Sequence, residues 1–250
     1  MESTSLAARY RRIQERVAES AHRADRSPET VTLVAISKYV EPERIREAYA
    51  LGIRDFGESR ASEALDKRAE LQDLSVRWHF IGHLQTNKVK RVVGECLLIH
   101  SVDSFKLAEA LSQAAVALKT VQPILLQINV SGEKTKYGLK PDETPTVVDR
   151  IVRELPGVRL DGLMTMAPFT QQPETARPYF RRLRELRDRL AERHPMTELS
   201  MGMSQDYAVA VEEGATLIRI GTGLFGERPH GGPVTEIDPA EHLEFDNRLT

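Results

Sequence analysis

Short apolar runs alternate with longer amphipathic stretches about eight times along this 250-residue chain. The runs are "VTLVAIS", "IRDFGE", "RWHFIG", "CLLIHSV", "PILLQINV", "VRLDGLMTM", "TELSMGM" and "TLIRIGTGLFG". Most are continuously apolar, as strands of a parallel sheet buried on both faces must be, and helical stretches lie between them. So many strand–helix units in a chain of this length predict an α/β fold, a single (β/α)₈ TIM barrel. An open doubly wound sheet is the alternative, because strand order is not written in one sequence. Ahead of the first run, Leu6, Tyr10, Ile13 and Val17 share one face of an amphipathic helix, so a helix precedes the barrel. The barrel domain is expected over 1–228. Residues 229–250, rich in Pro, Gly and acidic side chains, read as a surface tail.

Charge and cysteine usage narrow the function classes. A formal net charge of -2 leaves no electrostatic footprint for nucleic acid or an anionic membrane. The first residues lack a continuous apolar core, so neither a signal peptide nor a membrane span is expected. The single cysteine, Cys96, cannot form an internal disulfide, which points to a cytoplasmic setting. Between residues 177 and 193, Tyr179, Phe180, Leu183, Leu186 and Leu190 form a buried stripe, and the arginines are left to a solvated face.

In a barrel the chemistry sits at the C-terminal ends of the strands. There the chain offers Ser37-Lys38, Gly57-Glu58-Ser59, Gly82-His83, Asn129, Met164-Thr165, "SMGMS" and "RIGTGLFGER". The last two follow strands seven and eight, the barrel's usual phosphate site. Ser204, at the start of the next helix, offers a hydroxyl and an amide. Gly221 permits close backbone approach, and Thr222 adds a donor. Lys38 closes a strongly apolar run, so desolvation can make it a competent amine nucleophile toward carbonyls. A phosphate site with such a lysine suits either a phosphosugar or pyridoxal 5'-phosphate (PLP). Arg219, on strand eight and directed inward, favours PLP, because a pyridine nitrogen would give it a partner. Pairing with a buried carboxylate is the plainer explanation of that arginine. His79 and His83 have no second cluster at metal-ligand spacing, so no metal site is expected. Trp78 reads as core.

The segments "LVAISKYV", "DFGESR", "WHFIGHLQTNK", "LIHSVDS", "LLQINVSGEKTKYG", "LDGLMTMAP" and "LSMGMSQDYAVAVEEGATLIRIGTGLFGER" together resemble the pyridoxal phosphate homeostasis protein family. The resemblance implies a barrel like the N-terminal domain of alanine racemase, and cytoplasmic PLP binding without established turnover. It also implies a role in vitamin B6 and amino-acid homeostasis. By position it makes Lys38 the Schiff-base lysine, Ser204 a phosphate ligand, and Arg219 the neighbour of the pyridine nitrogen. Gly221 and Thr222 complete the phosphate contacts, and no catalytic residue is assigned. Relatives often read "FGEN" where this chain has Ser59, a shorter side chain. Lys134 and Lys136, in the loop after strand five, are candidates to admit or relay PLP, with PLP-requiring apo-enzymes as recipients. A monomer or weak homodimer is expected.

An arginine at the pyridine nitrogen cannot protonate it. Racemisation would still need a second acid/base on the opposite substrate face, and the tail supplies no tyrosine for that role. A PLP carrier is therefore expected over an amino-acid racemase. A Schiff-base aldolase acting on a phosphosugar would share the barrel, lysine and phosphate site but leaves Arg219 unexplained.

Overall fold

Ser5 starts the first helix, α1 (Leu6–Arg23), by accepting from the Ala8 N–H at 3.2 Å. Leu6, Ile13 and Val17 are buried on one of its faces, as their spacing predicts. The computed structural model describes residues 5–133 and 135–226; the expected tail 229–250 and Lys134 lie outside them.

The eight predicted strands are β1 (Thr32–Ile36), β2 (Asp55–Glu58), β3 (Arg77–Phe80), β4 (Leu98–Val102), β5 (Gln122–Gln127), β6 (Val158–Met164), β7 (Glu198–Ser200) and β8 (Leu217–Ile220). They run parallel in chain order and close into a barrel, with β8 paired to β1. The open sheet is thereby set aside. Around it lie α2 (Pro42–Ala50), α3 (Ala61–Glu70), α4 (Phe105–Ala117), α5 (Thr144–Glu154), α6 (Arg177–Ala191), α7 (Tyr207–Glu212) and α8 (Thr222–Phe225). Pro42 stands in the first turn of α2, where its missing N–H costs nothing. Ser104 caps α4 through the Leu107 N–H. Two apolar layers explain the continuous runs. Val34, Ile36, Leu98, Leu125, Met164 and Leu217 meet inside the barrel. The larger layer, including Phe56, Phe80 and Trp78, fills the space between sheet and helices.

Three expectations need correction. Between β3 and β4 the chain forms a 3₁₀ helix over Thr86–Arg91 instead of a full α-helix. Val89 within it and Val92 and Val93 just after it reach the core, and Gly94 then turns the chain at φ +79°. β7 is only three residues long, because Gly202 leaves the extended region at φ +92°. A Cβ there would stand 2.5 Å from Ala210 Cβ and 2.9 Å from Tyr207 Cα, so the turn requires glycine. The α6 arginines are not simply solvated. Arg177, Arg181 and Arg184 converge on Glu213, whose side chain is 4% exposed, and tie α6 to the end of α7. Burial pushes the Glu213 carboxyl up, but the arginines outweigh it and hold it below the ordinary value.

Candidate functional site

Lys38 continues the inward register of Val34 and Ile36, one step beyond the end of β1. Its chain neighbours are pinned. Ser37 Oγ donates to Glu58 Oε1 at 2.6 Å, and Lys67 Nζ, from α3, donates to the Ser37 carbonyl at 2.5 Å. Lys67 also reaches Glu58 Oε1 at 2.9 Å and Glu63 Oε1 at 2.6 Å. Glu63 in turn accepts the Tyr39 N–H at 2.7 Å, steadying Tyr39 at φ +62°, a conformation uncommon for a bulky residue. Burial raises the Glu58 carboxyl above its ordinary value, against the opposing Lys67 charge and the bonds from Ser37 and Lys67. By its place in the sequence Glu58 is one of the polar groups at the strand ends. Instead it points between sheet and helix and braces the lysine's turn.

A cavity of about 470 Å³ opens at this end of the barrel, and Lys38, Arg219, Gly221 and Thr222 all line it. Gly221 caps α8, and Thr222 is its first residue. Ser204 is not among the lining residues. It sits in the turn before α7, three residues ahead of Tyr207, and its Oγ accepts the Gly223 N–H at 3.2 Å. The helix starts later than expected, with Asp206 at its N-cap position, and Asp206 Oδ1 accepts the Met203 N–H of the preceding turn at 2.6 Å. Ser204 thus supports the Gly221–Gly223 turn.

The opposite wall comes from the loops after β2, β3 and β5, with Ser59, Gly82, His83, Gln127, Lys136 and Tyr137. Gly82 packs so close that a Cβ would lie 2.0 Å from the Ser59 carbonyl oxygen. His83 and Tyr137 stack with ring centroids 4.0 Å apart. Gln127, buried at the end of β5, donates to the Tyr137 carbonyl at 3.1 Å. Asn129, which the sequence suggested as a strand-end polar group, folds this loop. Its Oδ1 accepts from Ser131 Oγ and the Gly132 N–H, and its Nδ2 donates to the carbonyls of Glu133 and Lys136. Lys136 pairs with Glu133 at 2.9 Å. The stacked His83–Tyr137 pair was missed because its members are 54 positions apart.

Arg219 is 4% exposed. Its Nη1 donates to Ser200 Oγ at 2.7 Å and its Nη2 to the Thr165 carbonyl at 3.0 Å. Ser200 Oγ lies 2.8 Å from His100 Nδ1, His100 Nε2 lies 2.9 Å from His79 Nδ1, and His79 Nε2 lies 3.0 Å from Asp55 Oδ1. Arg77 also bonds Asp55. His79 and His100 are links in a buried hydrogen-bond chain. Burial pushes the Asp55 carboxyl up, yet the bonds from His79 and Arg77 outweigh it and hold it below its ordinary value. A depressed folded-state pKa stabilises the fold above the unfolded value, and that stability is lost as pH falls through the folded value. Asp55→Asn should therefore cost about 2 kcal/mol at neutral pH, with the deficit shrinking in acid. Urea melts at neutral pH and near pH 3 check this.

The barrel and its mouth define a class. A family model described as "Alanine racemase, N-terminal domain" matches residues 5–229. A "Pyridoxal phosphate homeostasis protein" of Aquifex aeolicus is 47% identical over 224 residues, covering 89% of this chain and 98% of its own. One of the same name from Pseudomonas aeruginosa is 42% identical, covering 93% and 100%. The structure of PipY from Synechococcus elongatus with PLP bound superposes with a TM-score of 0.74 at 40% identity, over 86% of this chain and 100% of that one. This chain belongs to the pyridoxal phosphate homeostasis protein family.

Proposed function

We propose that this chain binds PLP in the cavity, holds it as a Schiff base on Lys38, and serves intracellular PLP homeostasis without turnover of its own. The observation that carries this reading is the meeting of an amine, a guanidinium and a glycine-threonine turn in one cavity. The cavity volume lies within the range of small-molecule sites, and the donor set suits each end of PLP. Ser204, Gly221 and Thr222 would hold the phosphate, the Ser204 hydroxyl lying 3.2 Å from the Gly223 N–H of the same turn. Arg219 would face the ring nitrogen and, being always charged, would not protonate it. PLP, when bound, supplies an aldehyde that condenses with an amine and releases water. The PLP-bound PipY structure and the relatives' names support the same cofactor.

The finer expectations travel with this proposal. They are a barrel domain over 1–228 with a tail, a cytoplasmic setting, a monomer or weak homodimer, and PLP-requiring apo-enzymes as recipients. No helix among the described residues is long and apolar enough to cross a membrane. Dialysed protein should keep visible absorption that borohydride bleaches, leaving a pyridoxyl-phosphate mass on Lys38. Colourless protein that ignores added PLP would refute the reading.

One observation favours a second reading, an amino-acid racemase. Tyr137 and His83 line the same cavity and carry side chains able to exchange protons. The carrier reading predicts no racemase, transaminase or decarboxylase turnover by PLP-loaded protein. Racemisation of an amino acid that Tyr137→Phe slows at least about hundredfold would establish the enzyme instead.

A further inference from the structure

A single assignment of protons satisfies every link of the buried chain between Arg219 and Asp55. A guanidinium can only donate, so Ser200 Oγ accepts from Arg219 Nη1 at 2.7 Å. Ser200 then gives its own hydrogen to His100 Nδ1 at 2.8 Å. With Nδ1 accepting, neutral His100 carries its hydrogen on Nε2, which faces His79 Nδ1 at 2.9 Å. His79 accepts there and carries its hydrogen on Nε2, directed at Asp55 Oδ1 at 3.0 Å. Were His79 an imidazolium, His100 would have to donate to Ser200, and the Ser200 hydroxyl hydrogen would lose its acceptor in the chain. Burial, with the Arg219 charge nearby, also holds His100 neutral.

The chain joins β8, β7, β4, β3 and β2 across the barrel interior. At its far end Arg77, with a side chain 55% exposed, also binds Asp55. We propose that Ser200, His100, His79 and Asp55 are positioning residues, which fix the guanidinium of Arg219 at the ring end of the cofactor site. Through neutral, directional links they set the Asp55 carboxylate against the arginine's charge from across the barrel. Fully satisfied buried networks hold their members in one arrangement, and removing one link strands its neighbours. This inference rests on the reading that PLP occupies the cavity, but its proton arrangement can be tested without PLP.

The first test is NMR of protein labelled with ¹⁵N in histidine, at neutral pH and before PLP is added. His79 and His100 should both be neutral rings with the hydrogen on Nε2. An imidazolium, or a hydrogen on Nδ1, at either residue overturns the chain. The second test loads variants with PLP. Ser200→Ala should bind PLP about tenfold more weakly and shift the visible band, and Ser200→Thr, which keeps the hydroxyl, should restore both. His100→Phe, one link further from the cavity, should reproduce the Ser200→Ala shift. Folded Ser200→Ala and His100→Phe proteins with the parent's affinity and band would leave the network a structural role only and overturn the proposal. If the parent takes up no PLP, the carrier reading fails and the NMR result alone decides the chain. If the variants do not fold, the NMR result again decides.

Discussion

Lys38→Ala protein mixed with PLP should show no aldimine band, and borohydride should leave no pyridoxyl-phosphate mass on the chain. The residual contacts, from Arg219 and from the turn at Gly221 and Thr222, are non-covalent. PLP should therefore still bind, with a Kd raised about hundredfold, which corresponds to about 2.7 kcal/mol. Lys38→Arg separates charge from nucleophilicity, because a guanidinium remains protonated and forms no imine. It should behave like the alanine variant in both assays. Absorbance titration and intact mass measure the two quantities. A stable covalent adduct in either variant would move the anchor to another lysine, such as Lys136, which lines the same cavity.

The second large effect is expected at Lys67. Its ammonium lies between Glu58 and Glu63, with the side chain 9% exposed, while the Glu58 side chain is 1% exposed. Breaking a buried pair leaves an uncompensated charge, so Lys67→Met should destabilise the fold by about 3–5 kcal/mol. In a chain of this size that corresponds to a fall in Tm of roughly 10 °C. Adding Glu58→Gln removes the stranded charge and should recover part of the loss. Acid should do the same. Burial already raises the Glu58 carboxyl, and losing Lys67 raises it further, so the deficit should narrow as pH falls and Glu58 takes up a proton. Calorimetry of the single and double variants at two pH values measures both. A single variant within about 1 kcal/mol of the parent would mean that the pair does not hold the turn.

Much of the architecture was legible because a parallel strand buried on both faces has to be apolar along its length. The same rule placed Lys38, Arg219, Gly221 and Thr222 at one end of the barrel, where the structure finds them around one cavity. Ser204 was expected at the start of a helix, but α7 begins at Tyr207 behind Asp206, a boundary that nothing in "SMGMSQDY" marks. Lys67 was not legible at all. In "EALDKRAE" it reads as an ordinary solvated lysine, and only the packing of α3 on β2 shows otherwise. His100 was hidden differently. "LLIHSV" reads as core, and its partner Ser200 stands 100 positions away. Barrel closure creates that contact, and local sequence carries no trace of it.

Barrel closure also sets an order in time. A ribosome makes Lys38 well before β8, the Arg219 side chain and the Gly221–Thr222 turn. β1 cannot find its neighbour β8 until these emerge, and α1 must wait as long for the Leu224 carbonyl that Arg9 binds at 2.6 Å. Until β8 joins β1 the lysine exists without its cavity, so cofactor loading must wait for the closed barrel.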